Sequence, residues 1–275
     1  MKKILVPVDF SEKSEFATNL AARINKKIDC EIHLLHLVEL PKNVVDMVAG
    51  SKNSIPEKML YLRKIRDRLL EFIKNHFPED NSIHYGIRVK NPFEGILEYS
   101  KKISADLIIM GAKGISDFDE ILIGSNTEKV VRTSEVPVLV VKKSAEKFKL
   151  KSIVFASNFK EENKKMFANF LSFAKEFKSN IKLLKINTPS KFESSANTKQ
   201  QIEDFLQEFN LPKHSIHVYN DTSVQNGILN FSKEVKADLI AISTHGRSGL
   251  SQFFNGSISK SITKNVLRPI ITFKI

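Results

Sequence analysis

Two glycines three positions apart, directly after a short apolar run, are the first feature of this 275-residue chain that could do chemistry. The run Leu107-Ile108-Ile109-Met110 is long enough for one buried parallel strand. It stops at Gly111. Gly114 follows, and after nine intervening residues come Gly124, Ser125 and Asn126. From Glu128 onward the sequence can open a helix. A strand feeding a glycine-containing loop that opens a helix is how parallel sheets cradle phosphate. Glycines let the backbone approach the anion, and free N–H groups at the helix start face it. Glycine pairs after strands also mark ordinary turns, so spacing alone leaves both readings open.

The stretch occurs twice. Ala237-Asp238-Leu239-Ile240-Ala241-Ile242-Ser243-Thr244-His245-Gly246 repeats Ala105 to Gly114, and Gly256-Ser257 repeats Gly124-Ser125 at the same gap. Val136-Pro137-Val138-Leu139-Val140-Val141 matches Arg268-Pro269-Ile270-Ile271-Thr272-Phe273, and each pair lies 132 positions apart. The chain is a tandem duplication. Its second half departs where chemistry would matter: Asn158 stands in place of Asp9, and Ser243 in place of Gly111. A serine there adds a Cβ where backbone would approach a phosphate.

Gly111-x2-Gly114-x9-Gly124-Ser125 resembles the nucleotide loop of the universal stress protein family, in its ATP-binding branch. Lys3 to Ser11 is similar to that family's opening strand, and the run after Val136 to its closing strand. The resemblance covers nearly the whole chain, once per half. It implies two tandem doubly wound α/β domains of the adenine-nucleotide alpha hydrolase-like type, with five-stranded, mainly parallel sheets in the order 3-2-1-4-5. The expected domains are residues 1–143 and 151–275, the second with a partly degraded loop. ATP or AMP is the implied ligand, with or without Mg²⁺. By resemblance Pro7, Val8, Asp9 and Leu37 line the adenosine side, with Met110 and Gly111 under the ribose and α-phosphate. Gly114, Gly124, Ser125 and Asn126 then hold the phosphates. In the second half, Ser243, Gly246, Gly256 and Ser257 mark the weaker counterpart, where Arg247 could meet a phosphate. The family's last strands pair across a dimer; here Val138–Val141 and Ile270–Phe273 could pair within one chain, with a further homodimer open.

The elements that must position these residues follow from periodicity. Ile4 to Val8 reads as a strand with Asp9 at its carboxyl end, and Ser11 as the N-cap of a helix running to Arg23. Glu31–Val38 suits a central strand. Its His33 and His36, three apart, point to opposite faces and cannot chelate together. Pro41 to Pro56 reads as a lid or crossover, Leu60–Phe77 as an amphipathic helix, Ser82–Val89 as a strand and Pro92–Ile103 as a helix. Ser144–Lys151 reads as a hinge. The second half repeats the plan with strands at Ser152–Ala156, Ile181–Asn187 and Ile216–Tyr219, and helices at Glu161–Phe177, Lys199–Asn210 and Ser223–Val235. The βαβα alternation independently favours a parallel sheet covered on both faces.

Composition narrows the function. A 41% hydrophobic share is that of a globular protein, and no apolar run reaches the ~20 residues a membrane helix needs. The start Met1-Lys2-Lys3 runs straight into a strand, a single cysteine allows no internal disulfide, and no Cys/His spacing suggests a metal, so the cytoplasm is expected. Net charge is +12, but the basic residues scatter along polar helix faces, which speaks against nucleic acid as the partner. The phosphate-lysine loop Gly-x4-Gly-Lys-[Ser/Thr] is missing, and Asp117, Asp119 and Glu120 read as a solvated face. The expectation is a stress or regulatory module that holds an adenine nucleotide with weak or no turnover and reports to an unidentified protein partner. The alternatives are an interaction scaffold with vestigial sites, or a slow ATPase.

Overall fold

The computed structural model describes residues 1–39, 54–78, 83–112, 125–143, 148–244 and 268–274. In the first half, β1 (Lys3–Pro7), α1 (Glu12–Asn25), β2 (Glu31–Val38), α2 (Ser54–His76), β3 (His84–Val89), α3 (Pro92–Lys102), β4 (Leu107–Gly111), α4 (Ser125–Thr133) and β5 (Val138–Val141) follow one another. The second half runs β6 (Ser152–Ala156), a 3₁₀ turn (Glu161–Asn163), α5 (Lys164–Glu176), β7 (Asn180–Asn187), α6 (Ser195–Leu206), β8 (His214–Asn220), α7 (Val224–Glu234), β9 (Leu239–Thr244) and β10 (Ile270–Lys274).

The ten strands among the described residues form one sheet in the order β3-β2-β1-β4-β5-β10-β9-β6-β7-β8. Each half therefore has the expected 3-2-1-4-5 order, and every pairing within a half is parallel. The halves meet through β5 and β10, which pair antiparallel with Val140 opposite Ile270 and Val138 opposite Thr272. Each closing strand thereby covers the apolar edge that the other would expose. The link between the halves, expected as a hinge over 144–151, is described from Phe148 onward and is bonded to both halves there. Leu150 is fully buried, the Lys149 carbonyl accepts from Lys27 Nζ, and the Lys151 N–H donates to Asp238.

Helices cover both faces. One core holds Ile4, Val6, Ile32 and Leu34 of the first sheet half beneath Ala17, Leu20 and Ile24 of α1, and runs on without a break into the second half. There it is rich in phenylalanine: the Phe167 ring lies 4.9 Å from Phe155 and 5.3 Å from Phe205, both edge-on. The opposite face packs Leu5, Leu35 and Ile108 against Ile96 of α3 and Val130 of α4. Helix starts follow the caps. Ser11 accepts from Ser14 N ahead of α1, and Asn91 accepts from Phe93 N and Glu94 N with Pro92 at the first position of α3. Ser194 accepts from Asn197 N, which starts α6 four residues before the apolar period suggested.

The duplication extends to details that periodicity does not show. Asp106 Oδ2 accepts from the backbone N–H of Lys2 at 2.6 Å and Lys3 at 2.9 Å, tying the start of β1 to β4. Asp238 Oδ2 does the same for Lys151 and Ser152 at the start of β6. Gly95 of α3 leaves no room for a Cβ over Leu37 (2.4 Å), nor does Gly227 of α7 over Ile186 (2.8 Å). Phe10 and Phe159 hold positive φ at matching positions (62° and 53°), as do Ser104 and Lys236 (52° and 50°). Aromatic side chains are costly in that region, so the surrounding packing must hold the loop after β1 and β6 in place.

Candidate functional site

In a doubly wound sheet, ligands bind outside the carboxyl ends of the strands where the order reverses, which here is between β1 and β4. Pro7 closes β1 and Val8 follows it, buried. The Val8 N–H donates to Leu35 O at 2.8 Å, and its carbonyl lies 2.7 Å from His36 Nδ1. Nδ1 must be the donor, since a carbonyl can only accept. The His36 ring in turn packs 4.6 Å from Phe10, over which the Arg68 guanidinium sits at 4.3 Å.

Asp9 is exposed at this edge. Its Oδ1 accepts from the Ser11 N–H at 3.0 Å and the Ser11 hydroxyl at 2.6 Å, so it orders the cap of α1. Burial is the largest single influence on its carboxyl and acts to raise the pKa. The hydrogen bonds from Ser11 and Ser14 together outweigh it and hold the group below its ordinary value. Asp9 is thus an anion with one oxygen committed to the loop. Leu37 lies near the end of β2 with its side chain taken up against Gly95 of α3.

Met110 is buried and Gly111 ends β4. A Cβ on Gly111 would stand 2.4 Å from the Lys13 carbonyl oxygen, so the close approach of α1 already requires glycine here, whatever a ligand demands. Ser125 and Asn126 are the first residues of α4, and Thr127 Oγ1 donates to the Gly111 carbonyl at 3.1 Å. That contact holds the start of the helix over the end of β4, where its unpaired N–H groups and dipole favour an anion. Lys142 follows β5 at the same edge, and burial lowers its pKa to about 8. Gly114, Gly124, Asp117, Asp119 and Glu120 lie outside the described residues.

The second half builds the same loop with other chemistry. Asn158 Oδ1 accepts from the Lys160 N–H and from Asn163 Nδ2 (3.2 and 2.6 Å), an uncharged version of the Asp9 turn. Lys185 takes the place of His36 and is nearly buried, its ammonium on Glu193 Oε2 at 2.6 Å and on Gln201 Oε1. Gln201 Nε2 reaches back to the Asn158 carbonyl at 3.3 Å, and Asn187 Nδ2 donates to the Glu193 carbonyl at 2.9 Å. The segment after β7 is thus fastened across the carboxyl ends of β6 and β7. Ser243 lies in β9, while Gly246, Arg247, Gly256 and Ser257 fall outside the described residues. A cavity of about 620 Å³ opens beside this edge, between Phe159, Lys160 and Glu161 and the Asn197, Gln201 and Asp204 side of α6. Its walls are largely exposed polar side chains, and it flanks the strand ends without filling the reversal point. Lys185, Glu193 and Gln201 went unnoticed in the sequence, where only an odd lysine in an apolar strand pointed to them.

A duplicated, doubly wound parallel sheet with helices on both faces defines the class of this protein. The chain belongs to the universal stress protein family, whose sequence pattern matches it twice, over residues 1–142 and 149–274. Universal stress protein MJ0531 of Methanocaldococcus jannaschii is 34% identical over 143 residues, which cover 52% of this chain and 82% of that one. Universal stress protein MJ0577 of the same organism is 34% identical over 157 residues, covering 52% and 95%. The crystal structure of a universal stress protein from Archaeoglobus fulgidus shares the fold with a TM-score of 0.72, over 99% of this chain and 98% of that one, at 20% identity. No helix among the described residues is long and apolar enough to cross a membrane.

Proposed function

We propose that this protein is a nucleotide-holding stress or regulatory module that binds ATP or AMP in its first half, with little or no turnover. The observation that carries the reading is the start of α4 held over the end of β4 by the Thr127–Gly111 hydrogen bond, at the point where the strand order reverses. Pro7, Val8, Asp9 and Leu37 flank the adenosine, Met110 and Gly111 underlie the ribose and α-phosphate, and Gly114, Gly124, Ser125 and Asn126 hold the phosphates. Among the described residues no trio of metal-ligating side chains lies at this edge. Mg²⁺ would accordingly arrive on the nucleotide's own phosphates. Asp9, with its committed Oδ1, is placed to accept from a ligand hydroxyl rather than to activate water.

The second half serves as a scaffold, since Lys185, Glu193 and Gln201 fasten the space that the adenosine would need. Calorimetric titration with ATP and with AMP tests the assignment, with circular dichroism as the folding control. One site per chain is expected. Gly124→Val should abolish binding, and Asp9→Ala should weaken it by about 1–3 kcal/mol if the carboxylate accepts from the ligand. Unchanged affinity in Gly124→Val would move the site to Gly246, Gly256 and Ser257 or remove it. Phosphate release with Mg²⁺ at more than a trace rate would make the protein a slow ATPase instead.

A further inference from the structure

The opposite end of the first half carries a second cluster. Glu31 and His33 are two apart on β2 and so project from the same face, and His84 on β3 is the register partner of His33. One possible metal-ligand atom from each of the three lies within 4.8 Å of the others. The two imidazoles stack with centroids 4.6 Å apart, and His33 Nε2 stands 3.5 Å from Glu31 Oε2. That distance is long for a hydrogen bond. It is close to the ~3.4 Å between a nitrogen and an oxygen that share one tetrahedral Zn²⁺ at ~2.0–2.2 Å. His33 is only 8% exposed, and its other nitrogen, Nδ1, has no hydrogen-bond partner. A nearly buried imidazole with no good hydrogen bond on either side is unusual, because buried polar groups are nearly always satisfied.

We propose that Glu31, His33 and His84 form a binding site for a divalent transition-metal ion of the zinc type, with water completing the coordination. Two imidazoles and one carboxylate suit Zn²⁺ or Co²⁺ and are a poor set for Mg²⁺ or Ca²⁺, which take oxygen ligands. Lys3 Nζ, 3.8 Å from Glu31 Oε2, is the cation that the metal displaces, and both partners are partly exposed, so little is lost. The ion would tie β3, the edge strand of the sheet, to β2. The second half is a built-in control. Asn180 and Lys182 stand where Glu31 and His33 would be, and Ser215 pairs with Lys182 in the register. One metal per chain is therefore expected, at the amino ends of the strands and independent of nucleotide.

The experiment titrates Zn²⁺ into the untagged, nucleotide-free full chain by calorimetry, alongside Glu31→Gln and His84→Ala. Both side chains are exposed, so these variants should keep the fold, which circular dichroism checks. The wild type should take up one Zn²⁺, and each variant should lose more than about tenfold in affinity. Co²⁺ should give the visible absorption of a four-coordinate ion in the wild type and not in His84→Ala. Zn²⁺ uptake that is absent in the wild type, or unchanged in His84→Ala, overturns the proposal.

Discussion

The carboxyl edges of the two halves share a backbone and differ in what their side chains do with it. Phe10 and Phe159 hold the same left-handed turn, and Asp9 and Asn158 accept hydrogen bonds in the same pattern. Yet the Asp9 edge keeps its charge, with His36 and Phe10 packed together beside it, whereas the Asn158 edge is strapped by Lys185, Glu193 and Gln201. The difference teaches what duplication preserves. Pairs that hold the sheet, such as Asp106 with Asp238 and Gly95 with Gly227, persist in both halves because side-chain packing and the tie to the backbone of the first strand constrain them equally. The carboxylate after the first strand is not repeated, and the second half carries its charge instead in the Lys185–Glu193 pair.

Exchanging residues between the halves can break this comparison, and the largest effect should come at the end of the fourth strand. Gly111→Ser should destabilise by about 2–3 kcal/mol in urea unfolding, because its Cβ would meet the Lys13 backbone at 2.4 Å. Ser243→Gly should cost less than about 1 kcal/mol, since the second half already accommodates a Cβ and opens its helix there with the 3₁₀ turn Glu161–Asn163. Equal costs would mean that the glycine is a ligand requirement and not a packing one.

Asp106→Ala and Asp238→Ala should be twins. Each removes one carboxylate that accepts two backbone N–H groups, and each should cost about 1–2 kcal/mol in the same assay. A large difference between them would show that the two halves do not share one structural logic.

The closing strands separate the halves more gently. Lys142, after β5, is half-buried with its pKa lowered to about 8, whereas its counterpart Lys274 is exposed. The unfolded chain binds this proton up to its ordinary value of 10.5, so the stability of the protein should rise with pH between about 8 and 10.5. Lys142→Met should flatten that rise, and Lys274→Met should leave it unchanged.

The smallest effect should come from Asp9→Asn, which copies Asn158. The carboxyl of Asp9 is held below its ordinary value of 3.8, so its contribution is present above that pH and lost as pH falls through the lower folded value. The variant should lose this acid dependence together with the small stabilisation the carboxylate gives near neutral pH, and an unaltered acid limb would rule out the Ser11 hydrogen bonds as its source.

Much of this was legible in the residues themselves. The repeat of Ala105–Gly114 at Ala237–Gly246, the apolar runs and the alternation of elements determined two parallel α/β halves, because hydrophobic period and strand length are local properties. The pairing of β5 with β10 was also in reach, since two short apolar closing strands each need a cover. The tertiary structure alone decided what depends on distant residues meeting. Gly111 answers to Lys13, Asp106 to Lys2 and Lys3, and Gln201 to Asn158, across separations that no spacing rule connects. For the same reason His33 and His36, read within one strand, ruled out a shared metal. His84 became the neighbour of His33 only when β3 took its place beside β2, because sheet register is set between strands and not along them.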